Sequence, residues 1–305
     1  MPEEVIEYLD PRPGGTYADG TVGAGGHAKL ILDSAAGTKV VGFDKDPSML
    51  EIARQRLSKY GDRVTLRRES FENVGDVLTD LHIENLDGML LDLGPSRDQL
   101  AGRTAGAGRG FSMRGEEESL SMAYDPDQGR TARSLLAELP EVELKKLFGQ
   151  TLRGGEVGSV VAQIVRARRD QLIETPGQLT ALLREALAYK GAATERRVSA
   201  AYAALRIAVN REIEVVIRGI DAAVAVLRAG GRLVVISFHG LEHGAVRKHL
   251  RELAGGPTGP PRLIGAPEQE GKLTVLTPKP LFPTGDEVAE NPAARSARLH
   301  AAERI

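Results

Sequence analysis

Three carboxylates, Asp19, Asp44 and Asp92, each close a short apolar run, and a glycine cluster follows the first. In TYADGTVGAGGHAKLILDSAAGTKVVGFDKD, Thr16–Asp19 has the pattern of a strand and Gly20, Gly23, Gly25 and Gly26 crowd the turn after it. His27–Ala35 then reads as a helix and Lys39–Asp44 as a second strand. Strand, Gly-rich turn, helix and acid-ended strand make half of a nucleotide-binding βαβ unit. Glycine admits left-handed backbone and lets a ligand lie against bare main chain. Asp44 stands about twenty residues past the loop, where a carboxylate can accept both hydroxyls of an adenosine ribose. The chemistry expected is capture of an adenosine-containing ligand.

Two such ligands fit the spacing. Gly23-Ala-Gly25-Gly-His-Ala28 matches the dinucleotide fingerprint G-x-G-x-x-A, which would make the chain an NAD-dependent dehydrogenase. Asp19 points elsewhere. A carboxylate beside the loop repels a pyrophosphate but pairs with the ammonium of an amino-acid-like ligand. S-adenosylmethionine carries that ammonium, a ribose for Asp44, and no phosphate. The plain alternative makes Asp19 an ordinary turn residue. Phe71, just after the strand Val64–Arg68, could face an adenine ring or sit in the core, and periodicity does not choose. Asp92 ends the apolar run Gly88–Leu93, at the strand edge where open α/β sheets place ligands; a capping role is its alternative.

These residues need an α/β scaffold, and the pattern supplies one. Pro2–Leu9 reads as an amphipathic helix, Pro47 to about Lys59 as another, and Val74–Leu81 as a third. Alternation stops after Leu93, and 103–115 is loop-like. From Thr131 to about Leu205 the pattern is helical, with helices expected near 131–139, 141–149, 156–170 and 177–190 and no strand between them. That is an insertion in the α/β domain. The α/β pattern resumes with a helix ending near Leu227 and broken by Gly230-Gly231. A strand Arg232–Phe238, a helix Leu241–Leu253, a strand Leu273–Thr277 and a basic tail from Asn291 to Arg304 follow.

Composition removes several classes. The 305 residues hold no Cys, which excludes disulfides, Cys-ligated zinc and thiol nucleophiles. Aromatics are 4% with no Trp, too few for an extended base-stacking platform. No apolar run reaches membrane-spanning length and no signal peptide opens the chain, so a soluble, cytoplasmic protein is expected. Net charge is −2, and positive charge is local: Arg166, Arg168 and Arg169, then Arg184, Lys190, Arg196 and Arg197. That cluster is either a phosphate-contacting face or a solvated surface balanced by Glu138, Glu141, Glu143 and Glu185.

The motifs DGTVGAGGH, GFDKDP, DGMLLDLG, RGFS, LRIAVN, GGRLVVISFHGLE and NPAARSARLHAAE occur in this order over nearly the whole chain. Together they resemble the RsmH (MraW) family, which methylates N4 of a decoding-centre cytosine in bacterial 16S ribosomal RNA. The resemblance implies a class I methyltransferase fold: an α/β, Rossmann-like, mostly parallel seven-stranded sheet with an all-helical insertion domain. Residues 1–114 and 206–305 would form the methyltransferase domain and 115–205 the insertion, a substrate-recognition domain. It implies S-adenosylmethionine contacts at Gly25, Gly26, His27, Asp44, Phe71, Asp92 and Gln99, beside Asp19 and Gly23 from the loop chemistry. Its partner would be 16S rRNA within the small subunit, with no membrane, and a homodimer stays open.

Substrate-side motifs depart from the family pattern. They read Gly94-Pro95-Ser96-Arg97, Ser121-Met122-Ala123-Tyr124-Asp125 and Ala193-Thr194-Glu195-Arg196-Arg197. The apolar arm usual before Glu3-Glu4-Val5 is not present, so a missing N-terminal segment is expected. An exocyclic amine is a poor nucleophile, so catalysis should rest on acceptors that align it with the methyl donor. Asp92 and the Gly94–Ser96 backbone, with Ser96, are expected in that role, after the base is unstacked. RNA contacts are expected from Arg97 (a phosphate clamp), Arg109, Arg166, Arg168 and Arg169. An activated sulfonium methyl needs no metal, so no metal site is expected. Two rivals remain. One is a catalytically silent RNA-binding relative. The other is a zinc hydrolase, because His239-Gly-Leu-Glu242-His243 matches H-x-x-E-H; yet His239 follows a strand directly, which spoils that one-helix geometry.

Overall fold

Successive side chains of each strand point to opposite sides and sort the apolar residues onto two buried faces of one sheet. The computed structural model describes residues 1–100, 108–113, 115–255 and 270–305. Its strands are β1 (Thr16–Asp19), β2 (Lys39–Asp44), β3 (Val64–Arg68), β4 (Leu86–Asp92), β5 (Leu227–Ser237), β6 (Leu273–Val275) and β7 (Arg298–Arg304). They form a seven-stranded sheet in the order β3-β2-β1-β4-β5-β7-β6. β1 to β5 pair in parallel, and β7 runs antiparallel to both β5 and β6. This is the class I methyltransferase fold that the motifs implied.

With a side-chain period of two, Met89 and Leu91 of β4 fall on one face and Leu90 on the other. The first face, with Val41, Phe43, Leu233 and Val235, packs on the helices Val74–Asp80, Glu212–Val226 and Gly240–Leu253. The second, with Val40, Val234 and Ile236, packs on Pro2–Leu9, Gly26–Ser34 and Pro47–Leu57. Each fully buried aliphatic side chain contributes about 1.5–3 kcal/mol. Helices on both faces leave the strand ends as the open edge.

By internal contacts the chain divides into two units, Met1–Gly94 with Ile213–Ile305, and Pro95–Glu212. The sequence pattern places its joins elsewhere, at 114/115 and 205/206. Among its described residues the second unit holds helices and no strand, including Ala132–Glu138, Glu141–Gly149, Gly154–Asp170, Pro176–Leu187 and Thr194–Asn210. Its core gathers Leu144, Phe148, Val160, Ile164, Leu183 and Leu205. No helix among the described residues is long and apolar enough to cross a membrane.

Two expected elements are corrected. Gly230-Gly231 does not separate a helix from a strand: β5 already begins at Leu227. Leu86 pairs with Leu227 but Gly88 with Arg232, so the extra β5 residues loop out, and Gly230 at φ 74° makes that bulge. The stretch expected as a basic tail contains β7, inserted between β5 and β6.

Gly219, in the helix Glu212–Val226, shows how tight the first face is. A Cβ there would stand 2.2 Å from Cε2 of Phe71. Alanine would gain up to about 1 kcal/mol of helix propensity, but overpacking typically costs 1–3 kcal/mol. Gly219→Ala is therefore expected to destabilise by about 1 kcal/mol or more, read as a lower urea midpoint at constant m-value. A rise in that midpoint would show that the Phe71 ring yields.

Candidate functional site

The three carboxylates come together through register. β1 lies between β2 and β4, and Asp19 aligns with Gly42 on one side and Leu90 on the other. Asp19, Asp44 and Asp92 are the last residues of three adjacent parallel strands. The glycine loop is stitched to both neighbours of β1: the Gly20 N–H donates to the Leu90 carbonyl and the Val22 N–H to the Phe43 carbonyl, each at 2.8 Å. Gly20 is required sterically, since a Cβ would meet Leu91 Cδ2 at 2.5 Å and Phe71 Cβ at 2.9 Å. Gly25, at φ 79°, is the N-cap of the helix Gly26–Ser34. Gly26 is different: a Cβ there would find only Arg56 Nη1 at 4.0 Å. Nothing in the protein demands glycine at 26, and a ligand lying on the helix N-terminus would.

Asp19 is 1% exposed. Its Oδ1 accepts the Thr21 N–H at 3.2 Å, and its Oδ2 is buried with no hydrogen-bond partner. Burial pushes its carboxyl up to about 6, against the attraction of His27. Asp44 accepts the Gly23 N–H on Oδ2 and the Asp46 N–H on Oδ1, both at 2.9 Å, so it also fastens the loop to the end of β2. Burial raises its carboxyl to about 7. Asp92 is raised by burial too, with His27 opposing; His27 Nδ1 lies 3.5 Å from Asp92 Oδ2, while Oδ1 is buried without a partner. Unmade hydrogen bonds of this kind cost about 1–3 kcal/mol each, so Asp19 and Asp92 fit a ligand that brings donors or positive charge. The residues present suit S-adenosylmethionine and would oppose a pyrophosphate.

Phe71 is buried in the first-face core, its ring against Gly219. Thr21 escaped the sequence reading: its Oγ1 accepts the Asp92 backbone N–H at 2.7 Å and so sets the end of β4. A hydroxyl residue right after the strand acid was the available signal. Glu242 was read only as part of the zinc motif. It is 1% exposed, accepts the Phe238 N–H at 3.0 Å and pairs with His239 Nε2 at 3.0 Å. His239 is the N-cap of the helix Gly240–Leu253, not a residue on it, and His243 Nδ1 lies 2.9 Å from His300 Nε2. The H-x-x-E-H match is a helix cap.

The remaining expected residues belong to the second unit. Ser96 and Gln99 bind each other: Ser96 N–H donates to Gln99 Oε1 at 2.9 Å and Gln99 N–H to Ser96 Oγ at 3.1 Å. The side chain of Arg97 lies outside the described residues. Arg109 donates to the Tyr124 carbonyl at 2.9 Å and sits over the Phe111 ring, which stacks on Tyr124 at 5.5 Å. Arg168 donates to the carbonyls of Leu136, Ala137 and Leu139, closing the helix Ala132–Glu138, at 3.2, 3.4 and 2.7 Å. Arg166 and Arg169 are exposed. Asn210, at the end of LRIAVN, accepts the Tyr124 N–H at 2.9 Å and donates to the Met122 carbonyl at 2.7 Å.

The model of the MraW methylase family matches residues 1–305. The chain belongs to the MraW methylase family. Ribosomal RNA small subunit methyltransferase H of Geobacter sulfurreducens is 42% identical over 313 residues, covering 100% of this chain and 97% of that one. The protein of the same name from Pelobacter propionicus is 40% identical over 311 residues, with the same coverage. Among solved structures, a rRNA methylase from Streptococcus thermophilus is 13% identical, with a TM-score of 0.42 over 99% of this chain and 93% of that one. Membership in a methylase family sets aside the dehydrogenase reading of the glycine loop.

The raised carboxyls make ligand capture pH-dependent. An acid raised by burial holds its proton more tightly in the folded chain. Its charge therefore disfavours the folded state as pH rises from about 4, its unfolded value, through the folded value. A ligand that donates to the carboxylates needs them ionised. Affinity for S-adenosylmethionine is expected to fall as pH drops through 7 and then 6, where Asp44 and Asp19 protonate. The slope approaches tenfold per pH unit for each group below its value. Asp44→Asn should weaken binding at pH 8 and remove the upper part of that dependence, measured by isothermal titration. A flat profile in the parent chain would exclude both acids from the ligand.

Proposed function

We propose that this chain transfers a methyl group from S-adenosylmethionine to N4 of a cytosine in the decoding centre of 16S rRNA, in the small ribosomal subunit. The observation that carries the donor half is the unpartnered buried oxygen Asp19 Oδ2, at a strand end beside the glycine loop. The acceptor half rests on the full-length relatives, named as small-subunit rRNA methyltransferases, and on the motif resemblance. Such an enzyme would work in the cytoplasm, where the subunits are assembled.

The donor supplies an already activated sulfonium methyl, and no metal is called for. The chain's residues bind and aim. Asp19 would take the ammonium, Asp44 the ribose hydroxyls, and the bare backbone at Gly23, Gly25 and Gly26 would admit the cofactor closely. Asp92 would accept an N–H of the cytosine amine, keeping the nitrogen lone pair directed at the methyl carbon. His27, 3.5 Å from Asp92, holds that carboxylate in place and favours its ionised form. The proton lost from the amine after transfer would leave through Asp92 to solvent. The helical unit is assigned to RNA recognition, with Arg166 and Arg169 on phosphates.

Mass-spectrometric mapping of small-subunit rRNA methylation, with and without this protein, decides the acceptor. Asp92→Asn should lower kcat at least about 100-fold, because one acceptor becomes a donor facing the amine, a loss of about 2.7 kcal/mol of transition-state stabilisation. Normal methyl incorporation by that variant would sink the catalytic assignment. RNA binding with no incorporation by the parent chain would favour a silent RNA-binding relative.

The arginine cluster divides by role. Neutralising Arg166 and Arg169 should lower the salt slope of RNA binding by up to about 0.7–0.9 per lost phosphate contact and leave stability unchanged. Arg168→Ala should instead cost about 1–2 kcal/mol of stability through the opened helix end. An unchanged salt slope in the first variant would make those two a solvated face.

A further inference from the structure

Away from the three-carboxylate edge, the first unit contains a cavity of about 150 Å³ lined by Arg247, Leu250, Arg251, Val275, Thr277, Pro278 and His300. Arg247 and Arg251 are one turn apart on the helix Gly240–Leu253 and share a face. Among the described residues no carboxylate lies within ion-pair distance of either, although neighbouring Lys248 and His249 both pair with Glu252. Thr277, 4% exposed, accepts the Ala301 N–H at 2.8 Å and keeps its own hydroxyl proton to donate. His300, 2% exposed, is bonded to His243 at 2.9 Å, the rings stacked with centroids 5.0 Å apart. The cavity thus collects two planar, permanently charged donors, a hydroxyl donor and an imidazole, with space for a tetrahedral oxyanion.

We propose that this cavity binds a phosphate group, gripped by the guanidinium groups of Arg247 and Arg251 with the Thr277 hydroxyl. The two histidines beside the cavity share its surroundings. Burial, then the neighbouring cations, push His300 down to about 4 and lower His243 as well. For His300 the opposing groups are His243, Arg247 and Arg298, and for His243 they are Arg298 and Arg247; no acid is among them. At neutral pH the imidazole pair is therefore uncharged, and the site's charge is that of the arginines. The phosphate can be a free anion or a backbone phosphate of RNA; the second source rests on the proposed function, the binding itself does not.

Inorganic phosphate titrated into the full chain at low ionic strength, followed by the imidazole resonances of His243 and His300, tests this directly. Saturable shifts with a millimolar dissociation constant are expected. Arg247→Gln with Arg251→Gln should weaken phosphate at least tenfold without moving the thermal midpoint, whereas Lys248→Gln should leave it unchanged. Unmoved histidine resonances, or equal phosphate binding by the double variant, would overturn the site. A small-subunit rRNA fragment separates the sources. Displacement of phosphate, with RNA affinity lost in the double variant and S-adenosylmethionine binding kept, assigns it to the RNA backbone. Failure to displace assigns it to a free anion. No arm uses methyl transfer, so the outcome is independent of whether the catalytic reading survives.

Discussion

Desolvated negative charge is the constraint around which the sheet-bearing unit is built. Parallel pairing with β1 in the middle brings Asp19, Asp44 and Asp92 to neighbouring strand ends, and burial raises all three. Such an edge survives because the backbone meets part of its need. Thr21 and Gly23 N–H groups point at Asp19 and Asp44, and His27 stands by Asp92. Two oxygens remain without partners. The fold holds that cost in place through the apolar faces, which leave the strands no alternative register without turning their cores to solvent.

The helical unit has a polar knot of its own. Glu212 accepts the Tyr124 hydroxyl at 2.9 Å and both guanidinium arms of Arg206 at 2.8 and 3.1 Å. Asn210 binds the Met122–Tyr124 backbone, and Met122 N–H reaches the Arg109 carbonyl at 2.6 Å. The RGFS and LRIAVN motifs, about a hundred residues apart in sequence, are thereby parts of one hydrogen-bonded assembly. Arg109 and Arg168, both expected as RNA contacts, give donors to backbone carbonyls here. A guanidinium's five donors serve carbonyls as readily as phosphates, and sequence alone does not separate the uses.

What was legible followed from local periodicity and from chemistry tied to strand ends. The first four strands, the glycine turn and the helices of the insertion were visible because each has its own pattern. β7 was not. Its sequence RLHAAER lacks β-branched residues, and it is a strand because Leu299, His300, Ala301 and Ala302 are buried between β5 and β6. Gly230-Gly231 misled for a related reason: glycine marks a helix end and a β-bulge alike, and only pairing tells them apart. Phe71 could be read two ways, and its contact with Gly219 is a tertiary fact that no spacing encodes.

The place of β7 also bears on the order in which the molecule can be made. β6 has β7 as its one neighbour in the sheet, yet it leaves the ribosome first. Until β7 emerges, β6 has nothing to pair with and β5 presents a long bare edge carrying Val234 and Ile236. The helical unit, continuous in sequence from Pro95 to Glu212, meets no such delay. During synthesis the nascent chain therefore passes through a stage in which the edge of β5 is unpaired.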